Sequence, residues 1–116
     1  ISKYGMTMLA QGLAEELRAD NIAVNALWPV TLVQTQATVN FAIGEPKLWR
    51  RPEIVADAAL EVVTTPPAEL TGRALLDEDF LRERGVTDFT QYRCDPEHEP
   101  PRITTGHAAK VGLARA

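Results

Sequence analysis

Lys3 and Tyr4, close to the start of the sequence, are of the residue types that perform acid–base chemistry. A lysine ammonium beside a phenol hydroxyl favours the phenolate and lowers the pKa of the phenol, which prepares it for proton transfer. On a helix, residues four positions apart share a face, whereas adjacent residues do not. Tyr4 directly follows Lys3, and Met8 stands four residues after Tyr4. Spacing alone therefore favours Lys3 as a solvated helix residue and gives Tyr4 no ammonium partner.

Residues of metal-ligating type do not form a metal-binding pattern. His98 and His107 lie in a polar stretch without cysteine or carboxylate partners at zinc-ligand spacing. Cys94 is the single cysteine, so it has no internal disulfide partner. An acidic cluster consists of Asp77, Glu78, Asp79 and Glu83. Because this cluster lacks the alternating ligands and the glycine of a calcium loop, we interpret it as a helix cap and a solvated face, and we predict no metal site.

Aromatic and basic residues in the middle of the chain have two interpretations each. Trp28, Phe41 and Trp49 could line an apolar substrate pocket, or pack in the core or in a lid. Arg50 and Arg51 could contact a phosphate, although two arginines before a helix are common. These residues suggest a pocket without identifying its ligand.

The elements that position these side chains begin with a helix predicted over residues 1–17. Its apolar stripe recurs at spacings of three and four, at Met6, Leu9, Leu13 and Leu17. Ala10 and Ala14 lie beside the stripe and would let a partner helix approach closely, and Asn21 marks the end. Because no N-cap precedes the stripe unless Ser2 serves as one, we interpret the chain as a fragment whose helix starts upstream.

Two apolar runs, at residues 22–28 and 70–76, predict strands buried on both faces, as in a parallel sheet. Pro29 ends the first strand, and the weakly patterned segment 30–48 is typical of a binding loop or lid. A second helix opens at residues 51–53, and a short helix at 77–84 ends at Gly85. The helix–strand–helix–strand order predicts an α/β fold, part of a doubly wound parallel sheet that is incomplete as given.

Four segments in this order resemble the C-terminal half of the short-chain dehydrogenase/reductase family, and more narrowly its hydroxysteroid dehydrogenase-like subgroup. They are residues 3–6 (KYGM), 14–16 (AEE), 24–29 (VNALWP) and 56–59 (ADAA). The resemblance extends to about Tyr92. It implies a Rossmann-type domain that binds NAD or NADP and transfers a hydride to or from a small carbonyl or alcohol substrate, and it implies a homo-oligomer at full length.

The resemblance also assigns a catalytic role to Lys3. The family's active site has a tyrosine, three intervening residues and a lysine, and Lys3 matches that lysine. The tyrosine would then lie two residues before Ile1, outside this sequence. Lys3 would lower the pKa of that tyrosine and would also hydrogen-bond the nicotinamide ribose.

The segment after the first strand is implied to bind the cofactor. Pro29 matches the proline of a Pro-Gly motif at the nicotinamide, with Val30 in place of the glycine. The backbone contacts to the carboxamide would come from Thr31, Leu32 and Val33. Thr35 would supply a hydroxyl, one residue later than the commonest spacing. The alternatives are a plain strand terminator at Pro29 and an ordinary loop threonine at Thr35.

Composition excludes several classes of partner. The chain has 116 residues, 12 basic and 16 acidic, with a formal net charge of -4. This acidic balance gives no reason to expect nucleic acid or an anionic membrane. The apolar stretch 22–33 contains polar residues and falls short of the roughly 20 residues of a membrane span. With no leader pattern at the front, we expect a cytoplasmic protein whose residues 1–94 form half of a dehydrogenase domain and whose residues 95–116 form a polar, proline-containing tail or linker.

Two other functions fit the same residues. The chain could be a truncated, non-catalytic product, because it lacks the tyrosine, the glycine-rich phosphate loop and the acidic ribose-binding residue. It could also be a small oligomerisation module that pairs through the stripe of the first helix. The residues that would distinguish NAD from NADP are absent from this sequence.

Overall fold

The computed structural model describes residues 1–103. The helices are α1 (Ser2–Leu17), α2 (Gln36–Asn40), α3 (Glu53–Val63) and α4 (Asp77–Glu83), and the strands are β1 (Ala26–Trp28) and β2 (Ala74–Leu76). Short 3-10 turns lie at Arg18–Asp20, Pro46–Leu48 and Thr90–Tyr92. This order confirms the predicted alternation of helices and strands.

β1 and β2 pair in parallel, with Leu27 opposite Leu75 and Trp28 opposite Leu76. Leu27 and Leu75 point into the main hydrophobic core, which α3 and α4 cover. The buried residues of that core are Ile54, Ala58, Leu70, Leu75, Phe80, Leu81, Phe89 and Tyr92. Because side chains alternate along a strand, Trp28 and Leu76 point to the other face, where α1 lies. The α/β fold class predicted from the sequence is therefore confirmed.

Both strands are shorter than predicted. In the residues just before each strand, side chains make some of the hydrogen bonds that backbone groups would make in a regular β-ladder. The N–H of Val24 donates to Thr71 Oγ1 at 3.1 Å. The Asn25 amide donates to the Leu70 carbonyl at 3.0 Å and accepts the Arg73 N–H at 3.1 Å. The predicted strand segments therefore run side by side over more than the paired residues, but regular pairing begins only at Ala26.

The apolar stripe predicted on α1 is not the buried face of the helix. Met6 and Leu9 are 57% and 63% exposed, whereas Thr7, Ala10 and Ala14 are the buried residues of the helix. A Cβ at Gly72, in the turn before β2, would lie 3.5 Å from the Ala14 Cβ. The helix therefore packs closely against the Gly72 turn through its small residues. Met6 and Leu9 point outward, and Leu13 and Leu17 are half-buried.

Candidate functional site

A cleft of about 500 Å³ opens between α1 and β1, along residues 25–29. Lys3 lies on its α1 side, and Trp28 and Pro29 lie on its β1 side. Lys3 and Pro29, two candidate residues of the sequence analysis that are 26 positions apart in the chain, therefore line one cleft. Ligands of open α/β sheets bind in the crevice at the carboxyl ends of the strands, and Trp28 and Pro29 form the part of this cleft that lies at such an end.

A hydrogen bond between α1 and β1 fixes the shape of this cleft. The indole Nε1–H of Trp28 donates to Thr7 Oγ1 at 2.8 Å. Lys3 and Thr7 are one helical turn apart, so they share the face of α1 that points toward β1. The Trp28 indole is therefore held as a wall of the cleft that the exposed Lys3 also lines.

The segment after Pro29 is buried and hydrogen-bonded at fixed points. Val30 and Thr31 are each 2% exposed. The N–H of Val30 donates to Asp77 Oδ1 at 3.0 Å, and its carbonyl accepts the N–H of Ile103 at 2.6 Å. The Leu32 carbonyl accepts the N–H of Arg50 at 2.9 Å. These bonds hold the backbone beside the cleft in one conformation.

Three backbone donors in that segment have no protein acceptor within residues 1–103. They are the N–H groups of Thr31, Leu32 and Val33. Buried N–H groups are nearly always paired. These donors are open to an acceptor outside residues 1–103, in the stretch where the family resemblance implies backbone contacts to a cofactor.

Thr35 lies outside the residues that line the cleft and caps α2. Its Oγ1 accepts the N–H of Thr38 at 3.3 Å, while Thr38 Oγ1 accepts the Thr35 N–H at 2.8 Å. This reciprocal pair is a capping box, which explains why a helix begins here. Thr31 instead donates its hydroxyl to the Leu32 carbonyl at 3.2 Å.

A buried charged cluster beneath the loop was missed by the sequence analysis. Asp77 and Glu78 are 0% and 4% exposed, so the interpretation of the acidic cluster as a solvated face is wrong for these two residues. Arg50, only 1% exposed, donates to Glu78 Oε2 at 3.2 Å. The signal in the sequence was the position of Asp77 directly after a buried apolar strand.

The charges of this cluster are tuned by burial and by their partners. Burial raises the pKa of the Asp77 carboxyl above its ordinary value. Burial also acts to raise the pKa of Glu78, but hydrogen bonds from Arg82 and Arg50 outweigh it and lower that pKa. Glu78 is therefore a stable anion that holds Arg50 in place below the loop.

The other candidate residues lie apart from the cleft. Trp49 is buried and donates its Nε1–H to the Ile43 carbonyl at 2.9 Å, whereas Phe41 is exposed. His98 Nδ1 lies 3.1 Å from Asp95 Oδ2, and His107 lies outside the described residues. Within residues 1–103, no group of three or more His, Cys, Asp or Glu side chains is placed to hold a metal ion. No helix in that range is long and apolar enough to cross a membrane.

The chain is similar in sequence to proteins named hydroxysteroid dehydrogenase-like protein 2, although no family model matches it. The Danio rerio protein is 46% identical over 99 residues, which is 84% of this chain and 23% of the relative. The Bos taurus protein is 40% identical over 122 residues, which is 97% of this chain and 29% of the relative. The chain therefore spans less than a third of the length of these relatives.

Two solved structures have the same fold over most of this chain. A short chain dehydrogenase of Mycobacterium thermoresistibile superposes with a TM-score of 0.75 at 48% identity, over 85% of this chain and 36% of that one. A Xanthomonas campestris protein superposes with a TM-score of 0.75 at 37% identity, over 86% of this chain and 38% of that one. The resemblance stated from residues 3–6, 14–16, 24–29 and 56–59 is confirmed over a part of that fold.

Proposed function

We propose that this chain, which belongs to the short-chain dehydrogenase/reductase family in its hydroxysteroid dehydrogenase-like branch, forms the nicotinamide-facing part of an NAD- or NADP-dependent oxidoreductase. The observation that carries the proposal is that Lys3 and Pro29 line one cleft, which extends along β1 to its C-terminal end. The relatives are longer than this chain, so the activity proposed is that of the full-length protein.

Lys3 is the proposed catalytic residue of this chain. In the full-length protein, a tyrosine two residues before Ile1 would lie four positions before Lys3 and would share its helix face. The Lys3 ammonium would then lower the pKa of that phenol, because a nearby positive charge favours the phenolate. Its remaining N–H donors would hold the nicotinamide ribose, which aligns the cofactor with the substrate.

The backbone after Pro29 is proposed to hold the carboxamide. Thr31, Leu32 and Val33 present N–H groups without protein acceptors in residues 1–103, and a carboxamide oxygen is an acceptor. Thr35 is proposed to donate its hydroxyl proton to the cofactor. Its capping bond to Thr38 uses Thr35 Oγ1 as an acceptor, and the Thr35 O–H, whose oxygen lies 3.4 Å from Thr38 Oγ1, would turn to the cofactor as a donor.

When bound, the nicotinamide would supply or accept the hydride. This chain's residues would exclude water and fix the geometry around it, since Trp28 and Pro29 form a mostly apolar wall. The substrate is proposed to be a small molecule with a carbonyl or an alcohol. The proton at its oxygen would come from, or return to, the phenol that Lys3 tunes.

Binding of NADH and of NADPH to the full-length protein tests this function. We expect one dinucleotide to bind, and we expect Lys3→Met to reduce turnover by a factor of about 100 or more, the usual scale for general acid–base catalysis. Arg18→Met is the matched control, because Arg18 is an exposed cation just after α1. Absence of binding by both dinucleotides, or an unchanged turnover in Lys3→Met, would contradict the proposal.

The outward face of α1 supports a second candidate function, association between copies of this chain. Met6 and Leu9, three positions apart on one side of the helix, are 57% and 63% exposed, and exposed apolar clusters often mark interfaces. We propose that the full-length protein is a homo-oligomer in which this face is buried. Sedimentation of Leu9→Glu tests it, because a charge at a buried contact would produce monomers, and an unchanged oligomer would contradict the assignment.

A further inference from the structure

The segment 99–103, predicted from the sequence as part of a tail, lies across the loop that follows β1. Pro100 is buried. Ile103, three residues later in the chain, donates its N–H to the Val30 carbonyl at 2.6 Å. The segment therefore contacts the backbone of the residue directly after Pro29.

Ion pairs fix both ends of this segment. Arg102 contacts Asp79 with both terminal nitrogens, at 2.7 and 3.1 Å, and Glu78 at 3.0 Å. At the other end, Glu99 pairs with Arg93, and lies 3.6 Å from the buried Arg50. Bidentate arginine–carboxylate pairs fix orientation as well as distance. The backbone between the two ends is thus held against the loop.

Val30 is consequently held through both of its backbone polar groups by two separate parts of the chain. Asp77, at the start of α4, accepts its N–H. Ile103, at the end of the segment, donates to its carbonyl. The Val30 carbonyl and the Thr31 N–H belong to one planar peptide group, so the bond from Ile103 also fixes the direction of the Thr31 N–H.

We propose that residues 99–103 form a positioning strap for the nicotinamide-binding loop, and that Arg102 is the residue that fastens it. This inference rests on the proposed function. Arg102 does not line the cleft and acts through Ile103 and Val30. It is therefore a positioning residue.

The charged cluster allows the strap to be released without disrupting the fold. Without Arg102, Glu78 still accepts from Arg50 at 3.2 Å and from Arg82 at 2.8 Å. Asp79 would lose its bidentate partner, but its side chain is 47% exposed and is therefore solvated. Loss of Arg102 should free Ile103 and the Val30 carbonyl while the core beneath α4 stays intact.

Arg102→Gln in the full-length protein tests the strap, with Arg73→Gln as the matched control. Arg73 also makes a bidentate pair on α4, with Glu83 at 2.8 and 3.1 Å, but at the opposite end of that helix. The ligands are the reduced dinucleotide that the wild type binds and the corresponding ADP-ribose, which lacks the nicotinamide. Hydrogen exchange of residues 30–35 is followed in the unliganded protein.

We expect Arg102→Gln to weaken dinucleotide binding about tenfold, the scale of one charge-assisted contact. ADP-ribose binding should stay unchanged, and exchange at residues 30–35 should accelerate. Arg102→Lys should restore part of the affinity, and Arg73→Gln should match the wild type. This pattern separates positioning of the nicotinamide from general destabilisation, which would weaken both ligands.

Two results would overturn the strap while leaving the proposed function intact. One is an unchanged dinucleotide affinity in Arg102→Gln, and the other is an equal loss for ADP-ribose. A wild-type protein that binds neither NADH nor NADPH would overturn the proposed function, and the positioning role with it. In that event, exchange at residues 30–35 still decides whether Arg102 fastens the segment to Val30.

Discussion

The side chain of Asp77 accepts the backbone N–H of Val30, 47 residues earlier in the chain, at 3.0 Å through its Oδ1. The same oxygen accepts the N–H of Glu78 at 2.7 Å. Val30 lies just beyond β1 and Asp77 directly follows β2, so one fully buried carboxyl joins the ends of the two parallel strands. This joint is the connection between the core and the loop beside Pro29.

We predict that Asp77→Ala in the full-length protein lowers the free energy of unfolding by about 2–4 kcal/mol, because two buried N–H groups lose their acceptor. Asp77→Asn keeps an oxygen at the Oδ1 position and should retain most of the stability. Asp88→Ala is the control, since Asp88 accepts the N–H of Thr90 in an exposed turn. Urea unfolding measures all three variants, and equal effects of Asp77→Ala and Asp88→Ala would contradict the prediction.

The helix α1 shows what sequence periodicity predicts and what it leaves open. Spacings of three and four at Met6, Leu9 and Leu13 correctly predicted a helix, but not its buried face. Close approach of α1 to Gly72 selects small residues such as Ala14, and a pattern of large apolar residues does not reveal that contact. The direction of a helix face depends on its neighbours, which periodicity does not specify.

The end of β1 was predictable, because Pro29 cannot donate a hydrogen bond into a β-ladder. The cluster around Asp77 was not predictable, because its partners are distant in sequence. Arg50 and Glu78 are 28 residues apart. A charged residue is expected at the surface unless it is paired, and the sequence alone does not show which pairs will form.

The ion pair between Asp79 and Arg102 predicts a pH dependence in the acid range. Hydrogen bonding to Arg102 holds the pKa of Asp79 below its ordinary value of 3.8. Stability from a lowered carboxyl pKa is fully present above the ordinary pKa and is lost as pH falls through the lowered one. The stability difference between wild type and Arg102→Gln should therefore be constant above about pH 5 and shrink below it.

Urea unfolding of both proteins from pH 2 to pH 7 measures that difference. Arg73→Gln serves again as the control: Glu83 also has its pKa lowered by its arginine, so it should show an acid dependence of the same sign. A difference between wild type and Arg102→Gln that grows as the pH falls would contradict the assigned pair.

Tyr92 predicts a pH dependence at the alkaline end. Burial, with the hydrogen bond to Asp57 and its negative charge, raises the pKa of Tyr92 to about 12. Its hydroxyl donates to Asp57 Oδ2 at 2.6 Å. The folded state therefore prefers the neutral phenol, and its contribution to stability is lost as pH rises from 10 toward 12.

We expect Tyr92→Phe to lose about 1 kcal/mol of unfolding free energy near neutral pH, the usual net value of one hydrogen bond. Between pH 10 and pH 12 this difference should decrease, because the wild type alone loses the bond. Unfolding measured across that interval tests the expectation. A difference in unfolding free energy that stays constant over this interval would contradict the raised pKa of Tyr92 in the folded state.

The bond from Trp28 Nε1 to Thr7 Oγ1 predicts how the cleft responds to a change in its wall. Thr7→Val keeps the shape of the side chain but removes the acceptor 2.8 Å from the indole nitrogen. We expect a loss of about 1 kcal/mol in unfolding free energy and weaker dinucleotide binding, because the indole that lines the cleft is no longer fixed. Thr7→Ser keeps the hydroxyl and should behave like the wild type in binding. Comparing dinucleotide and ADP-ribose affinities of the two variants tests this directly: a Thr7→Val protein that binds both ligands as the wild type does would mean that the wall of the cleft does not depend on this bond.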